Sequence, residues 1–119
     1  MTITTRLKAL LLGGTLFCTL TYAHVHPQTQ TPAANAQVQA PSEVKIEFDG
    51  PLEPAFSTLS VSDAGGRVVS TAKSQVDVGD KRRLTVALPS LPPGKYTVHW
   101  VAVAADGHRT QGAYSFSIQ

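Results

Sequence analysis

The sequence contains one cysteine and one methionine among its 119 residues, Cys18 and Met1. Every later residue therefore lacks a sulfur atom. This excludes a disulfide within the chain, a cysteine nucleophile after residue 18, and a metal site built there from soft thiolate or thioether ligands. A metal ion bound by the later residues would have to accept nitrogen and oxygen ligands.

The sequence also has little excess charge of either sign. Charged residues make up 15% of the sequence, and the formal net charge is +2. The nearest approach to a basic cluster is Lys81-Arg82-Arg83, which we interpret as the solvated end of a hairpin. Nucleic-acid-binding domains carry a basic patch or stripe, so we expect no nucleic-acid partner. No Ser-His-Asp or Cys-His spacing supports a hydrolytic site.

Residues 1–23 have the three parts of a secretory signal peptide. Arg6 and Lys8 form the positive segment, an apolar stretch runs over residues 10–20, and Thr21-Tyr22-Ala23 places small residues before the cut. The apolar stretch is shorter than the ~20 residues of a membrane-spanning helix. We therefore predict cleavage after Ala23 and export to the periplasm. Cleavage removes two of the ten basic residues, so the eight that remain balance the eight acidic ones.

Residues 24–119 make one domain by length and show a period-two pattern typical of half-buried strands. Apolar and polar residues alternate over residues 44–48, 58–62, 83–88, 96–100 and 114–118. Glycine and proline clusters separate these segments, and none keeps a helical period. The pattern predicts an all-β fold, a small immunoglobulin-like Greek-key β-sandwich of about seven strands, without the cysteine pair of immunoglobulin domains.

The stretch 24–43 allows two interpretations. It is polar and interrupted by Pro32, so it is either a loose N-terminal tail or an edge strand, where proline is tolerated, followed by a turn.

In the alternating segment 96–100, Trp100 and His99 are predicted to lie on opposite faces of the sheet. We expect Trp100 at the centre of the core and His99 on the surface.

Three of the four histidines lie in two short segments, His24-Val25-His26 and Asp106-Gly107-His108. After the predicted cleavage, His24 would be the first residue, and its α-amine and imidazole could chelate one metal ion. In the second segment, glycine permits a tight turn that points the carboxylate and the imidazole to the same side. Nitrogen and oxygen ligands of this kind favour Cu(II), so His24, His26, Asp106 and His108 are candidate metal ligands.

The N-terminal histidines can hold Cu(II) in two ways. In one, the amine and imidazole of His24 bind the ion and the folded domain supplies Asp106 and His108. In the other, the amine, two deprotonated backbone amides and the His26 imidazole surround the ion in a square plane without help from the fold. The alternative to both is a frayed terminus with incidental histidines on a structural domain.

The sequence resembles the CopC family of periplasmic copper-resistance proteins. The motifs that carry the resemblance are His-Val-His-Pro at 24–27, Thr-Pro-Ala-Ala-Asn-Ala at 31–36, Pro-Pro-Gly-Lys-Tyr-Thr-Val-His-Trp at 92–100 and Asp-Gly-His at 106–108. The resemblance implies a cupredoxin-like β-sandwich that binds one Cu(II) ion per mature chain and is not an enzyme. It implies that His24, Asp106 and His108 are ligands, and His26 matches a histidine found at the third position of some members.

The resemblance also implies a role in copper homeostasis, with a CopD-like inner-membrane protein as partner. We expect a monomer, and no Cu(I) site, because the methionine-rich loop of some members is absent. The rival function is a copper-dependent oxidative enzyme, since an N-terminal histidine paired with a second one resembles the histidine brace of polysaccharide monooxygenases. Against it, the domain is small, it has no evident aromatic platform, and Asp106 would fill a position that oxygen chemistry needs open.

Overall fold

The computed structural model describes residues 13–15 and 24–119. The predicted signal peptide lies almost entirely outside these residues. The described part of the chain contains eight strands: β1 (Pro27–Thr31), β2 (Gln37–Val38), β3 (Glu43–Phe48), β4 (Thr58–Ser62), β5 (Gln75–Val76), β6 (Arg83–Ala87), β7 (Gly94–Val103) and β8 (Arg109–Ile118). Among these residues no helix has the length and apolar character needed to cross a membrane.

The strands form two four-stranded sheets, with the orders β1-β3-β6-β5 and β2-β8-β7-β4. Neighbouring strands are antiparallel except β2 and β8, which run parallel. The predicted all-β sandwich is therefore confirmed. The strand count exceeds the prediction because β2 and β5 have only two residues each, too few to leave an alternation signal in the sequence.

Alternation decides which face of each sheet is buried. In the first sheet the inward side chains of β3 lie opposite those of β6, with Val44 facing Val86 and Ile46 facing Leu84. The largest fully buried side chains come from both sheets: Phe48, Phe116, Ile46, Leu84, Val44, Val61, Val86 and Val98. Because no disulfide is available, burial of these apolar side chains is the main source of stability.

Trp100 is not the central core residue, so that prediction is wrong. Its side chain is only partly buried and packs at the margin of the core, edge-on against Phe48 with ring centroids 5.4 Å apart. The indole lies across its cross-strand partner Gly112, where an added Cβ would come within 2.5 Å of the ring. Alternation predicts the face of the sheet on which a side chain lies, and not how close to the centre of the core it lies. His99 is exposed, as expected.

The first strand settles the two interpretations of the N-terminal stretch in favour of an edge strand. β1 pairs only with β3, and Pro27 is its first residue, a position where the missing N–H does no harm. The chain then turns at the cis peptide bond between Thr31 and Pro32. This strand brings the residues immediately before it to one end of the sandwich.

The interpretation of the basic cluster holds for Lys81 and Arg82, which are exposed, but is wrong for Arg83. Arg83 belongs to β6 and forms ion pairs of 3.2 Å with Glu47 and 3.1 Å with Asp77. The hydrogen bonds that the Arg83 guanidinium donates to these two carboxylates raise its pKa. These ion pairs could not be predicted from the sequence, because Glu47 lies in β3 and Asp77 directly follows β5.

Candidate metal centre

The loop between β7 and β8 carries the Asp-Gly-His motif. It is closed by two backbone hydrogen bonds of 2.9 Å, from the N–H of Ala104 to the carbonyl of His108 and from the N–H of Gly107 to the carbonyl of Ala104. Gly107 has a φ of 89°, a conformation that residues with a Cβ rarely adopt. The tight turn predicted from the sequence is therefore present.

Within this loop Asp106 contacts His108 twice. Its Oδ1 accepts a hydrogen bond of 3.0 Å from the backbone N–H of His108, and its Oδ2 lies 2.7 Å from Nδ1 of the same residue. The backbone hydrogen bond, followed by the side-chain one, holds the pKa of Asp106 below its ordinary value. The carboxylate is therefore anionic, and with Nδ1 engaged the imidazole has Nε2 left for a metal ion.

His24 lies beside this loop although it precedes the first strand. The ring centroids of His24 and His108 are 5.2 Å apart, with the ring planes inclined by 59°. His24 and Asp106 also line one open cavity of about 330 Å³, together with Val25, Asp49, Gly50, Pro51, Ala104 and Ala105. The fold thus brings together three of the four predicted site residues.

The segment that carries His24 is fixed to the domain. The side chain of Val25 is only 4% exposed and belongs to the core. The Val25 carbonyl accepts a hydrogen bond of 2.9 Å from the hydroxyl of Thr110 on β8. These contacts rule out the frayed terminus as a description of this segment.

His26, the fourth predicted residue, is exposed like His24 and follows it by two positions. Its ring centroid is 6.5 Å from that of His24, and its Nδ1 is 3.2 Å from the His24 carbonyl oxygen. Its backbone is held by Asp49, a residue not expected at the site: the N–H of His26 donates to Oδ1 of Asp49 over 2.8 Å. The signal available was an acid directly after the buried Phe48.

Among residues 13–15 and 24–119 no three His, Cys, Asp or Glu side chains are gathered tightly enough to hold a metal ion unaided. In the uncleaved chain the α-nitrogen of His24 is part of the peptide bond to Ala23, so the predicted amine ligand does not exist there. One carboxylate and two imidazoles, completed by an amine after cleavage, form a donor set suited to Cu(II) and contain no sulfur. The residues present therefore fit copper as a bound cargo.

Comparison with known proteins finds a match between residues 28–119 and the CopC domain family. The matched range contains Asp106 and His108 and leaves out His24 and His26. Protein YobA of Escherichia coli strain K12 is 39% identical over 100 residues, which cover 82% of this chain and 81% of that protein. The copper transport protein CutJ of Bacillus subtilis strain 168 is 35% identical over 99 residues, covering 82% of this chain and 18% of that protein.

The fold has a solved counterpart. The crystal structure of CopC from Methylosinus trichosporium OB3b superposes with a TM-score of 0.76 at 33% sequence identity. The similarity covers 81% of this chain and 94% of that one. The described sandwich therefore corresponds to nearly the whole of that protein.

Proposed function

The chain belongs to the CopC domain family, and on this basis we propose that it is an exported copper-binding protein that captures Cu(II) and buffers or transfers it in copper homeostasis and resistance. The observation that carries the proposal is the proximity of His24 to the Asp106–His108 pair, with 5.2 Å between the two imidazole rings. The names of CutJ and of the CopC crystal structure support copper as the ion.

In the proposed site, His24 binds through its α-amine and one ring nitrogen once the signal peptide has been removed. His108 supplies a second imidazole and Asp106 a carboxylate oxygen, giving one Cu(II) ion per chain in a tetragonal arrangement of nitrogen and oxygen ligands. His26 is a further candidate ligand. The Asp106–His108 contact of 2.7 Å means that one half of the site is ordered before the ion arrives.

We propose binding and not oxidative catalysis. Oxygen activation at a histidine brace needs an open coordination position near the two imidazoles. Asp106 contacts the ring of one of them and lines the same cavity as the other, which supports its carboxylate as the ligand that fills that position. An ion whose coordination positions are filled by protein ligands is suited to capture and release.

The predicted signal peptide supports a periplasmic location, and we propose that the mature protein acts as a monomer. For the partner, CutJ provides the supporting observation: a stretch similar to this chain makes up 18% of a protein named for copper transport. A CopD-like inner-membrane protein is therefore the proposed partner, receiving copper from or giving it to this domain.

The test is a competition titration of Cu(II) on protein shown by mass spectrometry to begin at His24. We expect His108→Ala and Asp106→Asn each to lower the affinity at least ~10-fold, about 1.4 kcal/mol, and His26→Ala to have a smaller effect. His99→Ala is the matched control, because His99 is an exposed histidine of β7 bonded to Ser62 outside the site. Unchanged affinity in His108→Ala would refute the proposed ligand set.

A further inference from the structure

Asp49 contacts the N-terminal segment but is not one of the proposed ligands. Its Oδ1 accepts a hydrogen bond of 2.8 Å from the N–H of His26, and its own N–H donates one of 3.0 Å to the His26 carbonyl. Both polar groups of the His26 backbone are thus bound to a single residue. Because Asp49 directly follows β3, this pair extends the β1–β3 ladder to the edge of the site.

This pair bears on the second way in which the N-terminus could hold copper. A square-planar chelate at His24-Val25-His26 needs the amide nitrogens of Val25 and His26 to turn toward the ion. In the folded protein the His26 amide points to the Asp49 carboxylate instead. The Val25 side chain is buried in the core and its carbonyl is bonded to Thr110, and these contacts favour the same arrangement of the segment.

The same contacts determine where His24 goes. With Val25 directed into the core and the His26 backbone bound to Asp49, the His24 ring lies beside His108, 5.2 Å away, and is farther from the His26 ring, at 6.5 Å. Asp49 also lines the cavity shared by His24 and Asp106. It therefore acts at the boundary between the two possible copper sites.

We propose that Asp49 is a positioning residue that selects the mode of copper binding: by holding the amide of His26, it prevents the terminal amide chelate and leaves His24 to bind copper together with Asp106 and His108. This inference rests on the proposed function. It assigns to Asp49 no bond to the ion. The contribution of the side chain is its acceptor oxygen, which an asparagine would retain.

The test uses protein that begins at His24, with Asp49→Ala to remove the acceptor and Asp49→Asn to keep it. In Asp49→Ala we expect Cu(II) to move to the amide chelate, so that the visible d–d band shifts to higher energy because deprotonated amides are strong-field ligands. His108→Ala should then cost less than ~3-fold in affinity, against at least ~10-fold in the wild-type background, a coupling that a double-mutant cycle measures. Asp49→Asn should retain the wild-type spectrum.

Asp63→Ala is the matched control. Asp63 also accepts hydrogen bonds from backbone N–H groups, those of Gly65 and Arg67, but in a loop that follows β4 outside the site. It should leave the copper spectrum unchanged. If Asp49→Ala binds with the wild-type spectrum and the full effect of His108→Ala, Asp49 does not select the binding mode.

A second measurement uses the wild-type protein alone and needs no variant. The amide chelate releases two backbone protons that the His24–Asp106–His108 site keeps, so proton release on Cu(II) binding, followed in a weakly buffered solution and corrected for the protons lost by the α-amine and the imidazoles, counts the bound amides. Wild-type protein should release no amide protons in its folded state and two when Cu(II) is added in urea. Release of both from the folded wild type would overturn the role of Asp49.

The two proposals fail in different ways. Copper affinity of the wild type that is insensitive to His108→Ala counts against the proposed ligand set itself. Sensitivity to His108→Ala that is equal in the wild-type and Asp49→Ala backgrounds leaves the ligand set standing and removes only the role of Asp49.

Discussion

The hydroxyl of Thr110 donates a hydrogen bond of 2.9 Å to the backbone carbonyl of Val25, 85 positions earlier in the chain. Thr110 is the second residue of β8 and follows the Asp-Gly-His loop closely. The bond therefore joins the two parts of the proposed copper site directly, without passing through the rest of the sandwich.

Replacing Thr110 with valine keeps the shape of the side chain and removes this donor. We expect Thr110→Val to weaken Cu(II) binding about 2- to 10-fold, because a neutral hydrogen bond contributes about 0.5–1.5 kcal/mol. Competition titration measures the change. Thr97→Val is the control, since the Thr97 hydroxyl contacts Ser115 and not the N-terminal segment. An equal loss in both variants would show that the Val25 bond has no particular role.

The absence of sulfur after Cys18 leads to a prediction about oxidation state. The mature protein should bind Cu(II) with a weak d–d band and without the intense charge-transfer band of a thiolate. It should lose copper to a Cu(I) chelator when a reductant is added, because imidazole, amine and carboxylate ligands do not favour Cu(I) over such a competitor. Retention of Cu(I) against the chelator would contradict the ligand set.

Acid should release the copper, and the groups that respond are nitrogen ligands. Free imidazole and α-amine groups take up protons near pH ~6.5 and ~8, so affinity should fall between about pH 8 and pH 5. The pKa of Asp106 is lowered by its hydrogen bonds from His108. Its carboxylate therefore contributes fully across that range and loses its contribution only as the pH falls through the lowered pKa.

Asp106→Asn should consequently reduce Cu(II) affinity throughout the range from pH 5 to 8, because the carboxylate that it replaces is anionic across that range. Competition titrations at four pH values would establish this. Affinity equal to that of the wild type at pH 7 and pH 8 would mean that the Asp106 carboxylate does not contribute to copper binding.

Tyr114 provides a prediction about stability. Its hydroxyl oxygen is buried without a hydrogen-bond partner among the described residues, and burial raises the pKa of Tyr114 to about 12. In the unfolded chain a tyrosine ionises near pH ~10. The folded state therefore loses stability relative to the unfolded state as the pH rises from the ordinary value toward the raised one. Below that range the tyrosine is protonated in both states, so its ionisation does not affect stability.

Tyr114→Phe should remove this alkaline loss and should raise the free energy of unfolding at neutral pH by up to about 1 kcal/mol, since a buried unpaired hydroxyl is unfavourable. Urea unfolding at pH 7, 9 and 11 measures both effects. Tyr96→Phe is the control: the Tyr96 hydroxyl donates a hydrogen bond of 2.6 Å to the Pro92 carbonyl, so its removal should be destabilising. Destabilisation of both variants would show that Tyr114 has a partner in solution.

Much of the fold could be predicted because period-two alternation is a local signal. It located the strands that contain Val44, Val61 and Phe116, and glycine at position 107 predicted the tight loop between Asp106 and His108. The prediction that Trp100 lies at the centre of the core was wrong, because the space for an indole depends on Gly112 of the neighbouring strand. Alternation carries no information about cross-strand partners.

The site was harder to predict than the fold. His24 and His108 were connected in the sequence analysis by ligand chemistry and by resemblance to a family, and not by any spacing. Asp49 and Thr110 were missed, because each acts through a hydrogen bond between a side chain and a distant backbone group, which leaves no periodic pattern. The ligand roles and the signal peptide stay predictions.

The register shift between Pro27 and Thr29 in β1 has a consequence for which side chains the domain hides. Beyond the shift Gln30 is opposite the inward-facing Ile46, so an unbroken strand would turn every even-numbered residue inward, His24 and His26 among them. One extra residue in β1 exchanges odd for even. Val25 is buried as a result, and both histidines are left exposed at the surface. Deleting Gln28 would therefore straighten β1 and still leave the valine inside and both imidazoles outside, because removing one residue and losing the one-residue bulge cancel in the alternation.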